Sequence, residues 1–392
     1  MKKVAIWCVF FAFFACSLPL FAAAAQAAED PADITTEAAA VAGELADFRG
    51  AVPQEVADLL PADFFSENIA DMASGVAQAS APQAVFSAIG RVTGLAIGEN
   101  LALLARICGI LIISAVFRLL VRGQETGKEL GGAVSFCGTA TLAVGLLSLQ
   151  RVRFSQISAY FSGLRTLSLA MLPLMGALYA MGGNVGAAAA NHGVMTAFLT
   201  LLENVIGGSA LPVAGICLAL ALADALSGGL QLRSLAGLLK RSYTLLFSFL
   251  MLLLCGVLGI QTTLAKGSDT LALRTVRFAA GSFLPVVGGS VSEALRTVSG
   301  SVQYLRAVTG TGGILVLFLF FLPTFLSIML NRAVFLLGGA AAKLLGCDGE
   351  EKLLAEMASV YGYFMAVIAS LFVMTVFSLT LFARCATAGG GA

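Results

Sequence analysis

The amino-acid sequence predicts an all-α, polytopic helical membrane protein with about 6–8 membrane spans. Of its 392 residues, 59% are hydrophobic and only 11% are charged, whereas a soluble domain carries about 25% charged residues. The mean hydropathy is +0.94, and several apolar runs reach the roughly 20 residues that a bilayer-spanning helix needs. A soluble core could not hide so much apolar surface, so lipid is the expected solvent for much of the chain.

The chain opens with a segment that is typical of a secretory signal peptide. "MKKVAIWCVFFAFFACSLPLFAAAAQAAED" has a basic start, a long apolar run and then small residues. The A-x-A-like site at Ala25-Gln26-Ala27 predicts a signal peptide over residues 1–27; an uncleaved N-terminal anchor is the alternative. In both cases the two lysines after Met1 hold the extreme N-terminus inside, and the segment that follows is extracytoplasmic.

Residues 28–98 form an acidic, extracytoplasmic N-terminal segment. Eleven of the 22 acids of the chain lie between Glu29 and Asp71. Pro53 and Pro61 divide this segment into short helices, and its apolar side chains follow an approximately helical spacing at Val56, Leu59, Leu60, Phe64 and Phe65. They are too few for an independent core, so we expect them to bury against the membrane surface or against a partner protein.

The helical membrane domain is predicted over residues 99–384, and a short tail follows at 385–392. Six segments are apolar enough to span, namely 100–120, 130–150, 208–228, 243–264, 312–331 and 357–383. Two ambiguous regions lie between them, at 155–206 and 266–310. If neither region crosses the membrane, the bases of the three short loops all fall inside, namely Arg118, Arg122, Lys128, Arg233, Lys240, Arg241, Arg332, Lys343 and Lys352. If both cross, eight spans result and the 229–241 loop moves outside, so the charge rule favours six.

Both ambiguous regions contain an LP-x-x-G signature. The first, "MLPLMGALYAMGGN", has Pro173 and Gly176; the second, "FLPVVGGSVSEAL", has Pro285, Gly288 and Gly289. Proline removes a backbone donor and glycine loosens the chain, and broken backbone at membrane depth is tolerated only where protein or water surrounds it. We therefore predict two re-entrant or interfacial segments that line a pore or form a subunit contact. Chance or a weak internal duplication explains the pair, with possible halves at 99–228 and 242–384.

Four ionisable residues are further structural or pore-lining candidates. Arg106 lies in the first span and Asp224 near the end of the third, where a charge normally faces the protein interior; snorkelling for the arginine and an interfacial cap for the aspartate are the alternatives. Glu293 and Arg296 stand at i and i+3 after the second LP motif, where a local ion pair is the simplest interpretation and a role in selectivity the other.

The sequence argues against catalytic, metal and cofactor chemistry. His192 is the only histidine, which excludes a multi-histidine metal site. None of the eight cysteines has C-x-x-C spacing, so they are interpreted as small apolar residues. "GQETGKE" lacks the spacing and the Ser/Thr of a phosphate loop, and a net charge of +1 gives no case for nucleic-acid binding. No enzyme activity and no cofactor are predicted.

The layout of the chain, together with "FLPVVGGSVSEALRTV" from Phe283 to Val298, resembles the stage III sporulation protein AE family of endospore-forming bacteria. The resemblance implies a mother-cell subunit of a channel or secretion-like complex across the membranes around the engulfed forespore, which a forespore protein joins from the other side. The complex would support late forespore gene expression, apparently by passing small molecules. Expected partners are other membrane subunits and lipid, with homo-oligomers left open, and no catalytic residues are implied.

A different class of function remains open at this point. A stand-alone transporter or permease for a small solute would also be polytopic, with the two LP-x-x-G segments around its binding site. Recovery with other membrane proteins favours the complex, whereas solute uptake by the isolated protein favours the transporter.

Overall fold

The computed structural model describes residues 35–66, 69–122, 127–181, 193, 196–197, 208–227, 234–249, 252–253, 256 and 288–387. Within this part of the chain all regular structure is helical, which confirms the predicted all-α class. A backbone in lipid must satisfy its own hydrogen bonds, and these apolar runs therefore form helices. In chain order the elements are α1 Thr35–Ala51, α2 Gln54–Ala57, a 3₁₀ turn Ala62–Phe65, α3 Ile69–Ser80, α4 Pro82–Arg122, α5 Gly127–Met181, α6 Gly208–Ser227, α7 234–249, α8 Gly288–Leu344 and α9 Asp348–Thr387.

Five helical stretches within the described residues are long and apolar enough to cross a membrane. They are Pro82–Val121, Gly131–Leu174, Gly208–Leu226, Val308–Leu344 and Asp348–Val376. These stretches overlap five of the six predicted spans. The sixth, 243–264, lies mostly outside the described residues, so the count of 6–8 spans stays a prediction.

Arg332 and Lys240 are two of the bases that we expected in cytoplasmic loops, and both lie inside helices, away from the helix ends. The predicted span at 312–331 ended where Arg332 interrupts the apolar run, but α8 continues to Leu344 because the sequence after this arginine is again apolar. Arg332 is therefore 12 positions from the end of its helix. Lys240 likewise lies within α7, and its ammonium group is buried.

The LP-x-x-G motifs differ in what surrounds them. Pro173 and Gly176 lie within α5, which continues through both to Met181, so the first motif sits on a continuous helix and re-entry of this region stays a prediction. In the second motif, α8 begins at Gly288. Pro285 lies outside the described residues, as do the side chains of Glu293 and Arg296.

The acidic N-terminal segment packs on the protein itself, which corrects the expectation of a membrane surface or a partner protein. Val56 and Phe64 are 2% and 3% exposed and belong to the same core as the long helices. A Cβ on Gly312 of α8 would lie 3.3 Å from the ring of Phe64 and 3.3 Å from Val76 of α3. The apolar spacing was informative, but the surface that covers it comes from α8, far along the chain.

The end of α4, the end of α6 and the α8–α9 connection lie at one end of the bundle, which we call the loop end. The guanidinium of Arg118, near the end of α4, donates a 2.8 Å hydrogen bond to the carbonyl of Gly346 between α8 and α9. A Cβ on Gly349 would lie 3.5 Å from the carbonyl oxygen of Ala225, near the end of α6. The end of α4, the end of α6 and the α8–α9 connection therefore lie together, and the six-span prediction requires this common end.

Candidate functional site

A carboxylate at the loop end is fully enclosed by polar partners. Glu350, in the first turn of α9, is 0% exposed. Its Oε2 lies 2.6 Å from Nη2 of Arg118, and its Oε1 accepts a 2.6 Å hydrogen bond from the hydroxyl of Ser114. The guanidinium also donates to Ser135 of α5 at 3.1 Å. One buried ion pair thus joins α4, α5 and α9, and the positive end of the α9 dipole favours the carboxylate.

Close backbone approach makes room for this ion pair. A Cβ on Gly138 of α5 would lie 2.6 Å from Oε1 of Glu350 and closer still to the hydroxyl of Ser114. Beside it, Cys347 is buried, and burial together with the charge of Glu350 raises the pKa of the Cys347 thiol against the opposing effect of Arg118. The thiol is therefore expected to be unreactive at neutral pH.

A second charged contact lies farther from the loop end. Arg153 of α5 forms a 2.9 Å ion pair with Glu99 of α4, and its other terminal nitrogen contacts Gln156 at 3.0 Å and Ser327 of α8 at 3.5 Å. Glu99 is 67% exposed, so this pair is far more open to its surroundings than the pair at Glu350. It joins α4, α5 and α8 at one level of the bundle.

The two charged contacts are separated by about the thickness of a bilayer. Glu99 precedes Arg118 by 19 positions in α4, and Ser327 precedes Gly346 by 19 positions, which is about 28 Å at the helical rise of about 1.5 Å per residue. The hydrocarbon core of a bilayer is about 30 Å thick. We call the stretch between them the belt.

Exposed apolar side chains concentrate in the belt. On α4 they run from Ile97 to Leu120, on α5 from Phe136 to Val152, and on α8 from Leu336 to Leu344. Among the described residues of these three helices, Phe86 is the one large hydrophobic side chain exposed far from it. A lipid-facing surface has this composition, whereas a water-facing one would not leave so much contiguous apolar area exposed.

A third ion pair is buried inside the belt. Nζ of Lys240 on α7 contacts Oε1 of Glu356 on α9 and donates a 2.7 Å hydrogen bond to the hydroxyl of Ser359. The lysine is 8% exposed and the glutamate 4%. On α9, five positions after Glu356, the Tyr361 hydroxyl donates a 2.6 Å hydrogen bond to Oε1 of Gln150 on α5. Helix α9 is thus the polar centre of an otherwise apolar bundle.

Arg332 forms no ion pair with a described residue, unlike Arg118, Arg153 and Lys240. Its guanidinium carbon would lie 3.3 Å from a Cβ on Gly362 of α9, and Nη1 lies 3.7 Å from the sulfur of Met365. Its Nε is buried without a hydrogen-bond partner among the described residues. A sulfur atom is a weak acceptor, so this cation lies in the belt without a counter-charge in the described part of the chain.

The candidates named from the sequence are dispersed through the structure. Arg106 is exposed on the belt surface of α4, and Asp224 is 9% exposed near the loop end of α6. Pro173 is exposed on α5, and a Cβ on Gly176 would meet open space.

Sequence reasoning missed the charged residues of α9. Glu350 and Glu356 precede the predicted span 357–383 and were not singled out, and Lys240 was assigned to a loop. Their pairing could not be read from local spacing, because Glu350 is 232 positions from Arg118 and Glu356 is 116 from Lys240. The available signal was the apolar character of the flanking sequence, which extends the helices past these charges.

The described residues contain no group of three or more His, Cys, Asp or Glu side chains that could hold a metal ion. The charged contacts can instead fix how the helices pack. The family described as Stage III sporulation protein AE (spore_III_AE) matches residues 64–386, most of the chain. The chain belongs to this family.

The sequence of one relative differs widely from that of this chain. The chain is 23% identical over 218 residues to the Stage III sporulation protein AE of Bacillus subtilis (strain 168). The match covers 54% of this chain and 54% of the Bacillus protein, so the chain spans about half the length of that relative. No solved structure matches the chain. The chain is thus a member of a stage III sporulation protein family, and its described residues include five helical stretches of membrane-spanning length.

Proposed function

We propose that this protein is a multi-pass membrane subunit of the channel or secretion-like complex between mother cell and forespore, required for forespore development. The observation that carries the proposal is the family match over residues 64–386. The five helices of membrane-spanning length fit it, because a subunit of such a complex must be held in a membrane. The proposed partners are other membrane subunits of the complex and lipid, and the subunit acts as a non-enzymatic component.

The belt supports a particular placement in the membrane. With hydrocarbon between the Glu350 and Glu99 levels, α5 beyond Arg153 and α8 before Ser327 project from one face of the bilayer. The projecting part has its own aromatic core, in which Phe321 stacks on Phe372 with ring centroids 4.2 Å apart. The apolar stretch of α8 before Ser327 then serves as protein core, and the lipid-facing stretch is the one that follows it.

Charge supports an orientation with the loop end in the cytoplasm. The loop-end sequence is rich in bases, with Lys343 and Lys352 exposed on either side of the α8–α9 connection, and cytoplasmic loops carry such an excess. The acidic segment that packs on the projecting part of α8 then lies outside, in agreement with a cleaved signal peptide over residues 1–27. In the spore-forming cell this places the loop end in the mother cell.

Cysteine labelling tests the orientation. A cysteine at Ser66 should react with an impermeant maleimide in intact protoplasts, whereas a cysteine at Leu344, which is 89% exposed, should react only after lysis. The native cysteines are replaced by alanine for this test, because Cys137 near the loop end is itself exposed. Opposite results at the two positions would reverse the orientation. N-terminal sequencing should find the mature chain starting near Ala28, and an intact Met1 or Lys2 would exclude cleavage.

Cross-linking and affinity purification from sporulating cells tests the complex itself. Specific recovery of other sporulation membrane proteins is expected. The transporter alternative is favoured by one observation, the Lys240–Glu356 ion pair buried in the belt, since intramembrane ionisable pairs are common along transport pathways. A chain that purifies alone and takes up solute into vesicles would support that alternative and contradict the proposal.

A further inference from the structure

The guanidinium of Arg332 has no counter-charge among the described residues. An uncompensated charge in hydrocarbon is costly, and such residues normally pair with another group. Among the described side chains, the acids within the belt or at its two edges are Glu99, Asp224, Asp348, Glu350, Glu351 and Glu356. Glu350 and Glu356 are bound to other cations, and Arg332 forms no ion pair with any described residue. A second copy of the described chain presents the same acids and no exposed carboxylate at this level.

The guanidinium of Arg332 lies inside the belt, nearer to its far edge than to the loop end. It lies against Gly362 and Met365, which follow Glu350 by 12 and 15 positions in α9. At about 1.5 Å per residue, this is about 18–22 Å from the loop end of a belt about 28 Å thick. The charge is therefore several ångströms inside the belt, and its Nε is already buried.

A shallow surface of small residues surrounds this charge. Along α9, Ala355, Gly362 and Ala366 are half-buried and Ser359 is exposed, so these four form a strip that the rest of the described chain leaves partly open. Their spacing of three and four positions puts them on one face of the helix. In membranes, small residues let two helix backbones approach closely.

We propose that Arg332 pairs with a carboxylate on a membrane helix of another subunit, and that this helix lies against the α9 strip. The inference rests on the proposed function, since it requires a partner subunit in the same membrane. Charge complementarity identifies the chemistry of the partner: the docking helix carries an Asp or Glu at the level of Gly362. The Lys240–Glu356 pair is already neutral, so Arg332 supplies the net charge that selects such a helix.

The sign of a stability change distinguishes this role from a structural one. Arg332→Gln removes a charge that has no partner in the isolated chain, so the purified wild-type subunit and the variant should melt at the same temperature, or the variant higher. The complex recovered from sporulating cells should fall by about 30-fold or more, because truncating one member of a buried charge pair costs about 2 kcal/mol or more. The matched control is Arg91→Gln, which removes an exposed arginine of α4 outside the belt and should assemble normally.

Suppressor selection then tests the chemistry of the partner. Arg332→Glu should block sporulation, and revertants should replace an acidic residue by a neutral or basic one in a membrane helix of another protein. Suppressors that map only within this chain would overturn the inference.

Four further results would overturn it. The first is normal assembly of Arg332→Gln, and the second is a lower melting temperature of the isolated variant. The third is a stabilisation by phosphatidylglycerol that wild type shows and the variant lacks. The fourth is a homodimer that wild type forms and the variant does not. The third would identify a lipid phosphate at the site and the fourth a second copy of the chain. If the wild-type chain forms no complex with other proteins, the proposed function fails together with this inference. If wild type assembles and Arg332→Gln assembles equally, only the inference fails.

Discussion

Replacing Glu350 by alanine should strongly destabilise the folded bundle. Its carboxylate is 0% exposed and the Arg118 side chain 16%, and the two are 2.6 Å apart. Removal leaves a largely buried guanidinium with only Ser135 and the Gly346 carbonyl. Breaking a buried pair in this way costs about 3–5 kcal/mol. A domain of about 150–250 residues loses about 2–4 °C in melting temperature per kcal/mol, and this sensitivity falls with chain length. For a chain of this length we expect a loss of about 3–10 °C in melting temperature.

The assay is thermal unfolding of the purified full-length protein in detergent, followed by the loss of the monodisperse peak. Glu351→Ala is the matched control: the residue is in the same turn, is half-buried, and forms no ion pair with the described residues. Its removal should cost only the dipole contribution of about 0.3–1 kcal/mol. In a double-mutant cycle, Arg118→Ala should restore part of the stability lost in Glu350→Ala. Equal melting temperatures for Glu350→Ala and Glu351→Ala would refute the reasoning.

Two further substitutions test close packing. Gly138→Ala should lower stability by about 1–3 kcal/mol, because the new methyl group would press on the Glu350 carboxylate, which two hydrogen bonds hold in place. Gly131→Ala is the control: its Cβ meets open space, so it should be neutral or slightly stabilising in the same melting assay. Phe64→Ala should cost about 3–5 kcal/mol and expose the N-terminal segment to limited proteolysis, whereas Phe86→Ala, at a side chain 72% exposed, should leave the cleavage rate unchanged.

Hydropathy and length were sufficient for the fold class and for five helices, because both depend on local composition. They were not sufficient for helix ends. The span predicted at 312–331 ended at Arg332 because a charge lowers the local hydropathy, yet α8 continues to Leu344. The charge rule assigned Lys240 to a loop for the same reason. Both errors arise from treating a base as a marker of the membrane surface, although Arg332 and Lys240 lie inside helices.

The packing of the N-terminal segment could be predicted only in part. The helical spacing of Val56 and Phe64 correctly marked the side chains that become buried. The surface that covers them includes Gly312 of α8, about 250 positions later in the sequence. No local pattern identifies that glycine, since in the sequence it is one of several small residues at the start of an apolar run.

The contrast between the paired charges and Arg332 follows from how helices associate in lipid. Lipid tails are as apolar as leucine, so burial alone does little to fix the rotation and register of long apolar helices. Ion pairs at two levels of the belt can fix both, and register is the best-attested role of buried charges. The Arg118–Glu350 and Arg153–Glu99 pairs tie α4 to α9 and to α5 at levels about 28 Å apart. Arg332 adds nothing to this frame, because it pairs with no described residue, and a charge that costs stability without fixing the fold is best explained by a partner from another chain.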